Sequence, residues 1–314
     1  MAVTLAEAAL LSTDDLQRGV IETFVQESPV LDRIPLMTIA GNSFAYNQED
    51  TLPGVEFRAV NSAYAESTGV VNQQSETLVI LGGDADVDTF IVQTRGNLND
   101  QRAVQTRMKV KAASYKYQDA FINGDTGVDA NSFDGLKKRL TGDQVISAGT
   151  NGLPILGSGE SDQQAFLDKM DEAIAAVRGG VDAIYGNAAI LAKLKSSARR
   201  LHFYDQTTDD FGRTVATYNG IPLLDIGQTA AGVDIIPQTE TQGTATDASS
   251  LYFVNYGMDV SEGGVTGLTN GGIQVKDLGE IDAKPVFRTR IEFFCGLAVF
   301  GGKAASRLQG VLNA

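Results

Sequence analysis

Histidine and cysteine, on which most catalytic and metal sites depend, occur once each in this chain, as His202 and Cys295. A protein zinc site typically needs three or four such ligands, so the sequence predicts none within a single chain. Cys295 lies in the apolar run IEFFCGLAVF, which predicts a buried strand where a thiolate is disfavoured. His202 follows two arginines near a predicted helix end, and we interpret it as a surface side chain.

Three carboxylates, Asp84, Asp86 and Asp88, alternate along the run DADVDTFIVQ, which predicts a strand with all three on one face. They begin like a calcium-binding loop, but Thr89 takes the place of the required glycine and Arg95 that of the required glutamate. We therefore interpret the row as a solvated or salt-bridged strand face. One hypothesis is that it faces a basic row of the next helix, within or between subunits, and sets the salt dependence of assembly.

Other motifs of catalysis or nucleotide binding are incomplete. The segment GLAVFGGKA imitates a phosphate-binding loop, but its glycine spacing is wrong by one and Ala304 replaces the Ser or Thr that holds magnesium. Asp210-Phe211-Gly212 stands without any other kinase motif. The sequence therefore predicts no cofactor, no metal site and no catalytic residues, which indicates a protein that is not an enzyme.

A long basic helix is the strongest secondary-structure signal. Between about Asn97 and Asn123 neither Gly nor Pro occurs, which predicts a helix of roughly 40 Å that ends at Gly124. One apolar stripe along it consists of Val104, Met108, Ala112, Tyr115 and Ile122, and a second of Val110, Tyr117 and Phe121. Basic rows between the stripes are Arg102/Lys109/Lys116 and Arg107/Lys111. Because there are two stripes, we interpret the helix as packing against two partners, the chain's own sheet and a neighbouring subunit. The alternative interpretation is a surface helix with scattered apolar residues.

The rest of the chain predicts an α+β fold, because helices and strands mix without regular alternation. Residues 1–42 form a predicted arm, and in the polar stretch 43–75 strands at FAYN and VEFRAV flank a turn at Pro53-Gly54. ETLVIL and ADVDTFIVQ are two predicted strands joined at Gly82-Gly83. Helices at about 162–178 and at AAILAKLKSSARR flank a strand at VDAIYGN. GVTGLTNGGI is a predicted Gly-rich excursion, and KPVFRTRIEFFCGLAVFGG predicts long strands.

Composition excludes several function classes. Of 314 residues 43% are hydrophobic, as in folded soluble proteins, and no apolar run reaches the roughly 20 residues that span a bilayer. A net charge of −14 disfavours direct contact with nucleic acid or anionic membranes. We therefore expect an intracellular protein with no membrane segment and no specific nucleic-acid site.

In this order of elements the chain resembles the major capsid proteins of tailed double-stranded DNA bacteriophages, a fold shared with encapsulins and the floor of herpesvirus capsids. The resemblance rests on four segments in family order: FINGDTGVDANSFDGL, VDAIYGNAAILAKLKSSARR, TVATYNGIPLLDIG and KPVFRTRIEFFCGLAVFGGKAASRL. It implies an icosahedral shell around double-stranded DNA, assembled in the host cytoplasm and found in the virion. Pentamers and hexamers of the chain, a separate scaffolding protein, a portal and a decoration protein are the implied partners.

The resemblance also implies a domain organisation. Residues 1–42 would be an N-terminal arm, 43–75 an extended loop, 76–134 with 277–314 a peripheral domain containing the spine helix at about 97–123, and 135–276 an axial domain. Charged residues of the loop, the carboxylate row and the helix are then predicted at subunit interfaces: Glu49, Asp50, Glu56, Arg58, Asp84, Asp86, Asp88, Arg102, Lys109 and Lys116.

Two features depart from the family pattern. Some members join neighbours through an isopeptide bond from a lysine of the extended loop, but the first lysine of this chain is Lys109. No long helical leader precedes the arm, so we expect either a separate scaffolding protein or a leader that this sequence does not include. Two alternatives stay open from the sequence: an encapsulin-like compartment around a protein cargo, and a soluble α+β enzyme that uses carboxylates.

Overall fold

A computed structural model describes residues 28–95, 101–201, 205–208 and 214–314. The predictions for residues 1–27, for His202 and for Asp210-Phe211-Gly212 lie outside the described residues. Within the described ranges the helices are α1 Thr89–Arg95, α2 Gln101–Asn123, α3 Leu136–Arg139, α4 Glu160–Ala175 and α5 Ala188–Arg200, with a 3-10 turn at Gly142–Gln144. No helix in this part of the chain combines the length and apolar character of a membrane span.

The strands extend through the whole described chain. In order they are β1 Leu36–Thr38, β2 Ser43–Thr51, β3 Val70–Thr77, β4 Val79–Asp88, β5 Val145–Ser147, β6 Leu153–Pro154, β7 Ala183–Gly186, β8 Asp205–Thr208, β9 Thr214–Tyr218, β10 Ile221–Asp225, β11 Glu240–Gln242, β12 Ala245–Val254, β13 Gly264–Ile281, β14 Lys284–Phe300 and β15 Ala305–Leu312.

Among the described residues these strands form two sheets and a separate ribbon. The spine sheet has the order β1-β13-β14-β4, and the large sheet has the order β5-β15-β12-β7-β10-β9-β8 with β11 and β6 on its margins. Strands β2 and β3 pair only with each other. Along the chain, β14 is the last strand of the spine sheet, and it leads directly into β15 of the large sheet. One continuous segment therefore connects the two sheets.

Helix α2 packs against the spine sheet through one of its two apolar stripes. Val110, Tyr117 and Phe121 are completely buried, and the Tyr117 ring lies 5.7 Å from that of Phe293 on β14. Farther along, Phe121 meets Tyr185 of the large sheet at 6.2 Å, so the helix connects both sheets through one core. Val104 and Met108 of the other stripe remain exposed.

The end of α2 is shaped by two glycines. The amide of Gly135 donates to the carbonyl of Gly124 at 2.9 Å, which returns the chain against the helix end. A Cβ on Gly124 would lie 2.2 Å from the carbonyl oxygen of Phe133, and one on Gly135 would lie 2.5 Å from that of Ala120. Only glycine permits this approach. The short helix α3 is thereby held beside the spine sheet.

A second core lies between the large sheet and helices α4 and α5. Strand β7 is fully buried and lies between β12 and β10, as expected for the apolar segment VDAIYGN. Asn187 caps α5 by accepting from the amide of Ala189 at 2.9 Å. The predicted helix AAILAKLKSSARR coincides with α5, and the helix predicted at about 162–178 is α4, which begins and ends slightly earlier.

Three predictions of secondary structure were wrong in detail. ETLVIL and ADVDTFIVQ do not form two strands at Gly82-Gly83: β4 continues through both glycines and ends at Asp88, and Thr89–Arg95 is helical. VEFRAV is not a strand, because the partner of β2 is Val70–Thr77. GVTGLTNGGI belongs to β13, where a shift in register between Thr269 and Ile273 accommodates the glycines.

The pairing divides the C-terminal residues between the sheets. Strand β13 begins in the spine sheet at Gly264, before the predicted boundary at residue 277, and β15 pairs with β12 of the large sheet. The division into arm, extended loop, peripheral domain and axial domain stays a prediction.

Candidate assembly interface

Strands β2 and β3 with the residues between them form a long hairpin that projects from the subunit. Its register runs from Ser43 opposite Thr77 to Thr51 opposite Val70. We call residues 52–69 the hairpin tip, and Phe44, Tyr46 and Glu76 the hairpin root. The tip residues are exposed throughout.

The tip presents large apolar side chains to solvent. Phe57 is fully exposed, and Val55 and Val60 are 97% and 90% exposed. Apolar side chains on single surface positions are ordinary, but a contiguous group on a projecting segment indicates a surface that another molecule covers. These three residues are not among the interface residues predicted from the sequence, although the apolar side chains of VEFRAV within a polar stretch were the available signal.

The tip is ordered by its own hydrogen bonds. A carboxylate oxygen of Glu56 accepts from the amide of Ala65 at 2.7 Å, and the Ser67 hydroxyl donates to the carbonyl of Gly54 at 2.9 Å. Arg58 donates to the carbonyl of Ser62 and lies 5.1 Å from the centre of the Tyr64 ring. The predicted interface residues Glu56 and Arg58 thus hold the tip together. Glu49 and Asp50 lie on β2, and their side chains fall outside the described part of the chain.

The root joins the hairpin to the body through aromatic packing and one ion pair. The Tyr46 ring lies 4.9 Å from that of Phe300 in an edge-to-face arrangement, and its hydroxyl donates to the carbonyl of Val299. Burial, with the nearby Glu76 carboxylate as a second cause, raises the pKa of Tyr46 to about 12. Arg139 of α3 pairs with both carboxylate oxygens of Glu76.

The carboxylate row on β4 pairs with arginines of the neighbouring strand β14. Arg290 donates to Asp84 from Nε at 2.7 Å and from Nη2 at 2.9 Å, and Arg288 donates in the same manner to Asp86 at 2.7 and 2.6 Å. These hydrogen bonds lower the carboxyl pKa of Asp84 and of Asp86. The row is thus a salt-bridged strand face whose hydrogen bonds go to Arg288 and Arg290, and the charge of Lys109 on the helix also lowers the pKa of Asp84. Whether the row faces a basic row of a second subunit stays a prediction.

The remaining predicted interface residues lie at separate positions. Asp88 accepts from the amide of Phe90 at the start of α1. Arg102 binds Asp277 at 2.6 Å and lies 5.0 Å from the Phe287 ring. Lys109 extends across Gly83 of β4, and Lys116, whose side chain is largely exposed, lies 3.7 Å from Asp119. Whether these residues contact a second subunit stays a prediction.

Further exposed apolar side chains occur on β4, α1 and the first half of α2: Ile80, Phe90, Ile91, Val104 and Met108. Met108 is 61% exposed. On α2, Val104 and Met108 are the exposed members of their apolar stripe, whose last member, Ile122, is buried in the subunit's own core. That these side chains meet a second partner stays a prediction.

The surroundings of the Cys295 thiol disfavour the reactive thiolate form. Cys295 is buried in the core beneath α2, and burial raises its pKa to about 12. In the described ranges no three His, Cys, Asp or Glu side chains come together in a way that could hold a metal ion.

Comparison with known proteins agrees with this architecture. Residues 12–159 match the family model "Major capsid protein GP7", whereas no curated protein matches the chain. The holo-SrpI encapsulin complex from Synechococcus elongatus PCC 7942 superposes with a TM-score of 0.65 at 17% identity, over 91% of this chain and 88% of that one. The capsid of a native GTA particle gives 0.63 at 15% identity, over 91% and 90% of the two chains.

A chain of Microbacterium phage Oxtober96 superposes with a TM-score of 0.59 at 14% identity, over 90% of both chains. At these identities the superpositions establish the fold, and the family model adds the sequence signal over residues 12–159. The α+β prediction and the resemblance to phage major capsid proteins are both confirmed. The protein is a structural capsid-shell subunit with the fold of the phage major capsid proteins and the encapsulins.

Proposed function

We propose that this chain forms the wall of a tailed-phage head around double-stranded DNA. The projecting hairpin supports this proposal, because none of the described residues of its own subunit covers its apolar tip. The match to the major capsid protein family favours a phage head as the particle. On this proposal copies form pentamers and hexamers in the host cytoplasm, with a separate scaffolding protein, a portal and a decoration protein as partners.

In the shell the hairpin acts as the extended loop and crosses onto an adjacent subunit. The apolar side chains of the tip and those of α1 and α2 are both left exposed by the described part of the subunit, so the two apolar sets are suited to cover each other. Covering one large apolar side chain contributes about 1.5–3 kcal/mol. Repeated around a closed shell, such contacts offset the long-range repulsion between copies that each carry a charge of −14.

The ten charged residues predicted at interfaces have different roles on this proposal. Asp84, Asp86 and Arg102 already bind partners in their own chain, so they would present ordered charge pairs rather than free charges. Glu56 and Arg58 would shape the tip. Lys116, with its exposed ammonium group, is the member best placed for a direct contact with a neighbouring subunit.

The test is to express the chain with its genomic neighbours and to examine purified material by negative-stain electron microscopy. Closed shells support the proposal, and a discrete monomer or small oligomer under all conditions contradicts it. The contents then identify the particle. Nuclease-protected double-stranded DNA of uniform length is the result expected for a phage head.

An encapsulin-like compartment is the second candidate, favoured by the superposition on the encapsulin complex at a TM-score of 0.65. It predicts shells that contain a protein cargo and no protected DNA. The earlier alternative, a soluble enzyme using carboxylates, is disfavoured by the capsid-protein family match and by the fold.

A further inference from the structure

Among the described residues, the contacts of the hairpin with its subunit lie near its base, and the farthest of them along β2 is that of Gln48 beside Gly302. The root residues Phe44 and Tyr46 share a small core with Phe300, and the amide of Leu78 donates to the carbonyl of Asn42 at 2.8 Å. From Val70 to Gln74 the side chains of β3 are exposed, as is the whole tip. The direction in which the hairpin projects therefore depends on the few contacts of the root.

Arg139 adds a charged connection between this root and the rest of the subunit. Its guanidinium binds both carboxylate oxygens of Glu76, with Nη2 to Oε2 at 2.6 Å. The same group donates to the carbonyl of Leu297 on β14 at 3.1 Å and, through Nε, to that of Asp134 at 2.6 Å. One side chain thus binds the hairpin, the spine sheet and the loop that follows α2.

The backbone that carries Arg139 is itself held in place. It lies on α3, directly after the glycine pair Gly124 and Gly135 that fixes the chain against the end of α2. The Arg139 and Glu76 side chains are only 18% and 15% exposed, so their attraction is weakly screened by solvent. The pairing is bidentate and planar, which restricts orientation as well as distance.

A small rotation at this point has a large effect at the tip. From Glu76 to Val70 the hairpin extends about 20 Å at roughly 3.4 Å per residue. A rotation of about 10° at the root therefore displaces the far end of β3 by roughly 3–4 Å, which is the size of one residue step along a partner strand. Contacts of the tip with a neighbour depend on the angle at the root.

We propose that Arg139 and Glu76 are positioning residues for assembly, which set the angle of the hairpin and so decide where its tip meets the adjacent subunit. The proposal deepens the proposed function and rests on it, since it takes the hairpin to be a contact between subunits. The ion pair acts on the hairpin from within the subunit and touches no neighbour itself.

The test compares Arg139→Lys and Glu76→Gln with Lys138→Met as a matched control. Lysine keeps the charge but cannot make the bidentate contact, and glutamine keeps the shape of Glu76 without its charge. Lys138 is the adjacent residue, and it pairs with Asp125 and Asp134 rather than with the hairpin. Its loss removes two ion pairs of the same loop and leaves the pairing of Arg139 with Glu76 in place.

The first measurement is amide hydrogen exchange in the unassembled full-length subunit. Both root variants should exchange faster at residues 42–46 and 75–78, by roughly tenfold for the loss of a charged hydrogen-bonded contact, with unchanged exchange in β7 and β12. The control should match the native chain at all these positions. Unchanged exchange at the root in both variants would overturn the proposal.

The second measurement is the distribution of particle diameters by electron microscopy. A merely structural role predicts fewer particles of native size, whereas a positioning role predicts particles of altered or mixed diameter or open sheets. Uniform native shells from both root variants contradict the proposal. If the native chain forms no shell, the proposed function fails, while the exchange experiment still tests whether Arg139 and Glu76 hold the root.

Discussion

Phe57, Val55 and Val60 give the free subunit an apolar surface at the end of a projecting segment, and they contribute nothing to its own core. We expect Phe57→Ser to change the stability of the unassembled subunit by less than about 0.5 kcal/mol, as for other exposed positions. The yield of shells should fall strongly, because the tip loses its largest contact. Thermal unfolding and particle counts measure the two effects.

Val128→Ser is the control for this prediction. Val128 is 88% exposed on the loop between α2 and α3, away from the hairpin. Native yields in both variants would show that Phe57 makes no contact in the shell.

The pairing of Asp84 with its arginine partner should make the stability of the subunit depend on pH. Arg290 lowers the pKa of this carboxyl, so its contribution to stability is present above the unfolded value near pH 3.9 and is lost as pH falls through the lower folded value. The melting temperature of Asp84→Asn should therefore lie below that of the native subunit by a constant amount from about pH 7 to 5. The difference should shrink below about pH 4.

Asp247→Asn serves as a reference for this pH series, since Asp247 is exposed and makes no ion pair with any described residue. A deficit of equal size in the reference variant, or one that persists at the lowest pH, would exclude the pairing with Arg290 as the cause. The alternation of Asp84, Asp86 and Asp88 was enough to predict their common face. The choice of Arg288 and Arg290 as partners depends on strand order, which single-strand patterns do not contain.

Among the elements, those with a local signal were predictable and those that depend on a distant partner were not. Helix α5 and strand β7 follow from capping and apolar runs alone. VEFRAV has a strand-like pattern, but no described strand pairs with it. Strand β2 instead pairs with a polar segment that begins nineteen residues beyond its end. In β13, Gly271 and Gly272 adopt positive φ angles where the register with β14 shifts. The glycine pair, which indicated a loop in the sequence, is therefore part of a strand.

The contact between Gly124 and Gly135 determines how α2 ends, and it yields a prediction at this scale. In Gly124→Ala the new Cβ would lie 2.2 Å from the carbonyl oxygen of Phe133 and 2.5 Å from that of Ala120. Backbone must move, so we expect the free energy of unfolding to fall by about 1–3 kcal/mol. Chemical denaturation of the unassembled subunit measures this loss.

Gly54→Ala is the appropriate comparison, because a Cβ there meets only the Ser67 side chain at the ordinary distance of 3.5 Å. The denaturant concentration at the midpoint of its unfolding should equal that of the native chain. If Gly124→Ala were equally harmless, the end of α2 would be less rigid than its hydrogen bonds indicate.

For the whole molecule, the distribution of lysine limits how the shell can be held together. The first lysine is Lys109 on α2, so the hairpin carries no amine for an isopeptide bond to a neighbour. We expect purified particles to dissociate in denaturing gels to a single monomer band after any length of storage. A ladder of covalent oligomers would contradict this expectation.

The lysine-free hairpin has a further consequence for protease sensitivity. Between Arg33 and Arg95 the only bond that trypsin can recognise follows Arg58, in the middle of the exposed tip. A free subunit should therefore be cut there first, and a subunit whose tip is covered by a neighbour should resist. The fraction of chains cut by a brief tryptic digestion would then measure the fraction of unassembled subunits in a mixture, with no label attached to the protein.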